Sequence, residues 1–353
     1  MRLERYGYDA HVARIWSESG FDDLDIGRVI AEHRERYVVA LEKGEAMAEI
    51  TGAMRFGSHR REDFPAVGDW VAVVPTGPDE GRITAVLPRT SLLARRSAGR
   101  EGERQVIAAN IDHALVAQSV NRDYSINRLE RYLALCLASG ASPIILLTKT
   151  DLVDAQTLEG IVEAVSARIP SAPVATLSAH LLDGYAPLRK LLEPGRTYCL
   201  LGSSGAGKST LLNALCGEER MRTGAISLHT AKGRHVTTHR ELVVLEDGAI
   251  LIDNPGMREI GMAEASEAIA TTFASIATLG RACRFRDCTH LHETGCAVRA
   301  ALEDGRLNRA AYDNFLRMER ENAHYEASAI ELRRKDRDFG KLQKNYGRQK
   351  NGF

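Results

Sequence analysis

Eight consecutive residues, Gly202-Ser203-Ser204-Gly205-Ala206-Gly207-Lys208-Ser209, match G-x-x-x-x-G-K-[ST] in full. The run Thr197 to Leu201 reads as a strand before them and Ser209 to Leu215 as a helix after them, which is the context this pattern needs. The glycines let the backbone curl so that successive N–H groups point at β- and γ-phosphate oxygens, and the helix dipole adds positive potential there. In such a loop Lys208 reaches the β/γ oxygens and the Ser209 hydroxyl binds Mg²⁺, with Thr210 beside it in the phosphate-binding set. The chemistry is that of nucleoside triphosphate binding.

The base is read upstream. Thr148-Lys149-Thr150-Asp151 closes the apolar run Ile144 to Leu147 and resembles the [NT]-K-x-D element of GTPases. A carboxylate at Asp151 can accept from both N1–H and the exocyclic amine of guanine, and adenine offers no such pair of donors. The aliphatic stem of Lys149 would cover the base. Ser178-Ala179, after the run Val174 to Leu177, resembles the companion S-A element. Downstream, Gly233-Arg234-His235-Val236-Thr237-Thr238 reads as a first switch, with Thr237 favoured over Thr238 to cap Mg²⁺. Asp253-Asn254-Pro255-Gly256 follows the strand-like run Ala249 to Ile252 and reads as D-x-x-G. There Asp253 would hold Mg²⁺ through water, and the Gly256 N–H would meet the γ-phosphate.

The order of these parts is unusual: base-reading elements at 148 and 178, phosphate loop at 202, switches at 237 and 253. An ordinary GTPase begins with the phosphate loop. The same parts with the chain opened elsewhere make a circular permutation, tolerable because domain termini lie at the surface and often close together.

Cys283, Cys288, His290 and Cys296 form C-x4-C-x-H-x5-C, three thiolates and one imidazole. Four such ligands suit a closed, structural, tetrahedral Zn²⁺, with His292 a rival for His290. Polar neighbours (Arg284, Arg286, Asp287, Thr289) argue against an unligated core cluster. Cys136, Cys199 and Cys216 sit among apolar residues and read as buried thiols.

The elements that must hold these groups fall into three parts. Residues 1–105 carry short β-like runs (Tyr37 to Leu41, Ala46 to Ile50, Trp70 to Val74, Arg82 to Leu87) between glycines, the pattern of a small β-barrel. There Arg55-Phe56-Gly57-Ser58-His59-Arg60-Arg61 places an aromatic among arginines in an expected loop, and a second basic stretch runs from Arg89 to Arg104. Residues 106–262 alternate strand-like and helix-like runs, including Arg128 to Ala138 and Thr157 to Ile169, which predicts an α/β domain with a mainly parallel sheet. Residues 263–353 read as helical around the cysteines: Glu264 to Ala277, Ala297 to Glu303 and Arg309 to Leu332. No repeat is evident.

The 353 residues balance 47 basic against 47 acidic side chains, so no whole-molecule field selects a partner. The segment from Glu331 to Phe353 is locally basic, with eight Lys/Arg against three acids, as a phosphate-seeking arm would be. Hydrophobic residues at 44% and charged residues at 27% exclude a wholly disordered chain. With no apolar run long enough for a membrane span and no apolar core near Met1, the expectation is a cytoplasmic protein without membrane association.

Taken together, the permuted elements and the Cys3His pattern resemble the family of ribosome small-subunit-dependent GTPase A over nearly the whole chain. The resemblance implies an N-terminal OB-fold barrel on 16S rRNA near the decoding region, a circularly permuted P-loop GTPase domain and a small α-helical zinc domain. It implies GTP hydrolysis stimulated by the 30S subunit and a role in late 30S maturation; nothing demands more than a monomer. Two departures stand out: the family's D-T-P-G reads Asp253-Asn254-Pro255-Gly256, and Val236 replaces the first threonine of its G-x-H-T-T-T switch. Met257 stands where Ras-like enzymes carry a water-orienting glutamine, which predicts slow intrinsic hydrolysis. His235 is the leading candidate to position water, as the resemblance also suggests. The competing readings are a non-catalytic guanine-sensing RNA-binding module and a P-loop ATPase or kinase.

Overall fold

The computed structural model describes residues 3–21, 23–33, 36–58, 60–96, 104–181, 184–216, 240–253, 265–324 and 327. His235, Val236, Thr237, Thr238, Gly256, Met257 and the basic segment from Glu331 onward lie outside the described residues. Contacts divide the chain into two compact units, Met1–Arg95 with Arg104–Ile260, and Arg96–Glu103 with Gly261–Phe353.

In the first unit, the strands β1 (Asp25–His33), β2 (Arg36–Leu41), β3 (Gly44–Ile50), β4 (Trp70–Gly77) and β5 (Glu80–Val86) close a barrel in the order β1-β2-β3-β5-β4-β1. β3 runs parallel to β5 and every other pair is antiparallel, the arrangement of an OB-fold. Alternation supplies its core: Val29, Tyr37, Val39, Ala48, Ile50, Val71, Val73 and Ile83 point inward together. The basic stretch at 55–61 is only partly the loop expected. Thr51 caps a short helix, α2 (Gly52–Gly57), by accepting from the Met54 N–H, and Met54 packs against the barrel core. The N-terminal helix α1 (Ala10–Glu18), capped by Asp9, had no counterpart in the expected elements.

After the paired strands β6 (Leu92–Arg96) and β7 (Arg104–Ala109), the chain enters the parallel sheet. Its strands β8 (His113–Ser119), β9 (Ser142–Thr148), β10 (Val174–Leu177), β11 (Thr197–Gly202), β12 (Glu241–Val244) and β13 (Ile250–Asp253) lie in the order β10-β9-β8-β11-β13-β12. All pairs are parallel except β12 with β13. The sheet is apolar on one face through Leu115, Leu146, Leu177, Leu200 and Leu251, covered in part by Leu211 and Leu212 of α6 (Lys208–Cys216). The helices α3 (Ile126–Ala138) and α4 (Ala155–Arg168) match their expected spans to within a few residues, and the short α5 (Ala186–Arg189) lies between β10 and β11. Cys136 and Cys199 are buried as expected, whereas Cys216, at the end of α6, is only half-buried.

The second unit is helical among its described residues. The single helix expected over 264–277 is two, Ser266–Thr272 and Ala274–Gly280, broken at Phe273. Ala297–Glu303 is helical as expected, and a further helix covers 309–324. Asn322 joins the ends of the unit: its side chain accepts from the Ala265 N–H at 3.0 Å and donates to the Ser266 hydroxyl at 2.8 Å. No helix among the described residues is long and apolar enough to cross a membrane.

Candidate functional site

Each sequence-identified nucleotide element among the described residues lies at the end of a parallel strand, at the same edge of the sheet. The phosphate loop follows β11, Thr148 ends β9, Ser178 follows β10 and Asp253 ends β13. Ligands of open parallel sheets bind at this carboxyl edge, where loops diverge and helix N-termini point inward.

The loop is built from backbone conformations that other residues resist. Gly202 has φ +140° and lies so close to β8 that a Cβ would meet the Ala117 carbonyl oxygen at 2.2 Å. Gly205 and Gly207 take φ +79° and +85°, turning the chain into α6. The Lys208 ammonium donates to the carbonyls of Gly202 (2.7 Å) and Ser203 (2.6 Å). It therefore lies across the mouth of the loop, and burial lowers its pKa. Ser209 and Thr210 are exposed on the first turn of α6, while Ala206 is buried beneath the loop.

A second network assembles the base-reading end. The Thr148 hydroxyl donates to the Ala206 carbonyl at 2.7 Å, so this threonine is used to hold the phosphate loop against β9. Lys149 takes a left-handed conformation at φ +59°, and Thr150 donates to the Leu177 carbonyl at 3.2 Å. The Ser178 hydroxyl donates to the Asp151 carboxylate, which lowers the Asp151 pKa. The Ser178 oxygen in turn accepts from the His180 N–H at 3.1 Å, a contact that the sequence reading did not include. Its signal would have been the backbone turn after β10, where Gly184 approaches the Ser178 carbonyl too closely for any Cβ. Asp151 and Ala179 are exposed, and Asp151 is held ionised with its orientation fixed. Asp253, half-buried at the end of β13, has its pKa raised by burial.

In the second unit, Cys283, Cys288, His290 and Cys296 place their ligand atoms within 4.8 Å of one another. Cys283 Sγ lies 3.9 Å from Cys296 Sγ, and His290 Nδ1 lies 3.6 Å and 3.5 Å from those two sulfurs. A tetrahedral zinc with ordinary Zn–S and Zn–N bonds would space two sulfurs by about 3.8 Å and a sulfur and nitrogen by about 3.6 Å. The donors fit. His292 is exposed and outside this group, so the structure brings together His290 of the two candidates. His290 takes φ +64°, a conformation rare for a residue with a side chain, and its carbonyl accepts from the Tyr312 hydroxyl at 2.7 Å. Cys296 caps the helix Ala297–Glu303, its sulfur accepting from the Arg299 N–H at 3.4 Å. Desolvation acts to raise the Cys283 pKa, but the N–H groups of Val298 and Ala297 bring it below the ordinary thiol value.

Known proteins match at the level of both sequence and fold. The RsgA GTPase family model covers residues 86–263. The small ribosomal subunit biogenesis GTPase RsgA of Opitutus terrae is 42% identical over 351 residues, spanning 96% of this chain and 95% of that relative. RsgA 1 of Bacteroides thetaiotaomicron is 36% identical over 99% of this chain and 98% of its own length. Among solved structures, YjeQ from Thermotoga maritima superposes with a TM-score of 0.61 at 26% identity, covering 83% of this chain and 96% of that one. YloQ, described as a circularly permuted GTPase, gives 0.63 at 27% identity over 87% of this chain and 98% of its own.

Two outcomes test this geometry. Ser178→Ala frees the Asp151 carboxylate from its orienting donor, so GTP affinity should fall about tenfold while the weak affinity for ATP stays the same. Isothermal titration with both nucleotides decides it, and equal GTP binding by the variant would show that Ser178 does not orient Asp151. Stripping metal with a strong chelator should lower the melting temperature, and Co²⁺ reloading should give the visible absorption of a tetrahedral thiolate site. A colourless cobalt form with unchanged melting would remove the metal centre from this account.

Proposed function

The chain belongs to the RsgA GTPase family and is a GTP hydrolase, and from that premise we propose that it binds the small (30S) ribosomal subunit, is stimulated by it and assists late 30S maturation. The observation that supports this most directly is the joining of Asp151, oriented by Ser178, to a complete phosphate loop through the Thr148–Ala206 hydrogen bond. The names of the relatives supply the ribosomal part of the reading.

In this reading water attacks the γ-phosphate in line with the departing GDP. Lys208 exchanges the carbonyls of Gly202 and Ser203 for β/γ oxygens, and the loop N–H groups hold the same phosphates. Asp151 selects guanine, Lys149 covers the base, and Ser178 with Ala179 closes on it. Ser209, Thr237 and Asp253 would hold Mg²⁺, and the ion would offset charge on the phosphate oxygens. His235 positions the attacking water, Gly256 meets the γ-phosphate through its N–H, and Met257 supplies no polar group for the reaction. Intrinsic turnover is therefore slow until a partner completes the site. Cys283, Cys288, His290 and Cys296 would hold Zn²⁺, which would staple the helical unit. Hydrolysis re-sets the switches and releases the factor, which acts in the cytoplasm as a monomer.

The barrel is the RNA-binding part. Phe56 is 91% exposed on α2, with Arg55, Arg60 and Arg61 exposed nearby, a combination suited to stacking an unpaired base of 16S rRNA beside its phosphates.

GTP turnover with and without 30S subunits, with ATP as the control, tests the function. Strong stimulation confined to GTP is expected, along with tighter subunit binding by the GTP form than by the GDP form. Turnover indifferent to the subunit would refute the ribosomal reading, and no turnover under either condition would leave a guanine sensor. For the barrel, Phe56→Ala should weaken subunit binding about tenfold, the scale of one lost base stack. Unchanged binding by that variant would move the RNA contact elsewhere.

A further inference from the structure

One rung of hydrogen-bonded strands crosses from the barrel to the nucleotide edge. Ala31 of β1 pairs with Glu241 of β12, and Glu241 pairs on its other side with Asp253 of β13. The register of β1 with β2 shifts between Val29 and Ala31, an irregularity that bends the strand just before the rung. Among the described residues this single register pair continues the barrel into the nucleotide sheet.

Arg240, immediately before the rung, secures it from the side. Its guanidinium donates to the Val106 carbonyl of β7 at 2.8 Å and lies 3.5 Å from the Glu32 carboxylate of β1. Both side chains are only partly exposed, at 18% and 35%. Burial raises the Glu32 pKa, while Arg240 and Arg61 act to lower it. Glu32 therefore faces one guanidinium from the nucleotide sheet and one from the basic stretch of the barrel. In sequence, Arg240 follows Thr237 by three residues and His235 by five.

The same strand is attached a second time, in a different manner. Arg28 is fully buried and donates to the Gly68, Tyr6 and Asn110 carbonyls and to the Thr197 hydroxyl at the start of β11. With its donors satisfied in a closed environment, that attachment is stiff. The Arg240–Glu32 contact is half-exposed and of the kind that contributes at most about 1 kcal/mol to stability. A stiff pivot at residue 28 and a soft contact at residue 32 let force on the barrel reach β12 with little cost to the fold.

We propose that Arg240 is a positioning residue for GTP hydrolysis. Held by Glu32, it fixes the Ala31–Glu241–Asp253 rung that joins the barrel to the nucleotide edge, so that a ligand on the barrel sets Asp253 for its part in the reaction. This inference rests on the reading that the small subunit is the stimulating partner.

Steady-state GTP turnover of the full chain, alone and with 30S subunits, is compared for the native protein, Arg240→Met, Glu32→Gln, their double variant and Arg240→Lys. In both single variants, turnover without the subunit and KM for GTP should stay within about twofold, while the subunit-stimulated kcat falls about tenfold, the scale of a typical coupling between sites. The double variant should lose no more than Arg240→Met alone, because both single variants remove the Arg240–Glu32 contact. Arg240→Lys, which keeps the charge, should recover most of the stimulation. Stimulated kcat unchanged in both single variants, even with a lower melting temperature, would make the pair purely structural and overturn the proposal. Losses that multiply in the double variant would overturn it as well. Should Arg240→Met fail to fold, Glu32→Gln and Arg240→Lys carry the same decision. A native chain that the subunit does not stimulate would bring down the ribosomal reading and this inference together, an outcome distinct from a stimulated native chain with indifferent variants.

Discussion

The hydrogen bond from the Thr148 hydroxyl to the Ala206 carbonyl is the constraint on which the nucleotide site depends. A nucleotide presents its base and its phosphates at opposite ends, so the groups that read them must come from different loops. Here they come from β9 and β11, which do not touch in the sheet because β8 lies between them. The buried threonine spans that gap and sets the distance between Asp151 and the phosphate loop. Gly202 makes the span possible by letting β11 lie against Ala117 with no side chain between them. None of these contacts depends on which element comes first in the chain, and this is why the fold survives permutation. What it needs is the order of strands in the sheet.

Arg28 plays the corresponding part where the barrel meets the sheet. A guanidinium taken out of water loses solvation, and burial lowers its pKa to about 10, still a cation at neutral pH. Its hydrogen-bond partners among the described residues are three carbonyls and a hydroxyl, and Trp70 stacks beneath it at 5.3 Å. Asp112, Asp69 and Asp9 act on it through space. Its partners come from the N-terminal segment, the turn before β4, the residue after β7 and the start of β11. Removing the arginine would take this donor from the Tyr6 and Asn110 carbonyls and the Thr197 hydroxyl, and leave the Gly68 carbonyl with the Asn110 amide alone, so the site is costly to change.

The chemistry was legible in the sequence wherever a ligand demands a fixed spacing. Phosphate binding required glycines at 202, 205 and 207 and a lysine at 208, and metal ligation required four donors between 283 and 296. The parallel strands were legible because strands buried on both faces, such as Ile144 to Leu147, are continuously apolar. The strand β1 was not. Its sequence, Asp25–His33, contains Gly27, Arg28, Glu32 and His33, and its polar side chains are used at the junction with the sheet instead of facing solvent in alternation. Helix α2 was hidden for a related reason, since Gly52 and Gly57 bound a segment whose only core contact is Met54. The break at Phe273 was hidden too, because that ring packs edge-on against Phe315, forty-two residues further along. Local pattern carries no trace of such a partner.

Chain order does matter for what the site can move. In an unpermuted GTPase the strand after the second switch remains inside the sheet. Here β13 is the last strand of the first unit among the described residues, and the second unit takes up the chain at Gly261. The first switch returns to the sheet at β12, whose antiparallel pairing places Glu241 between Asp253 and the barrel. Each end of the reacting phosphate is thereby tied to a part of the protein outside the nucleotide sheet. Opening the chain between the second switch and β8 leaves the strand order untouched, so the binding site is conserved while its mechanical connections are changed. The proposed cycle of subunit binding and release gains from this arrangement, because loss of the γ-phosphate would act through covalent and β-sheet connections, with no need for a docking contact to form first.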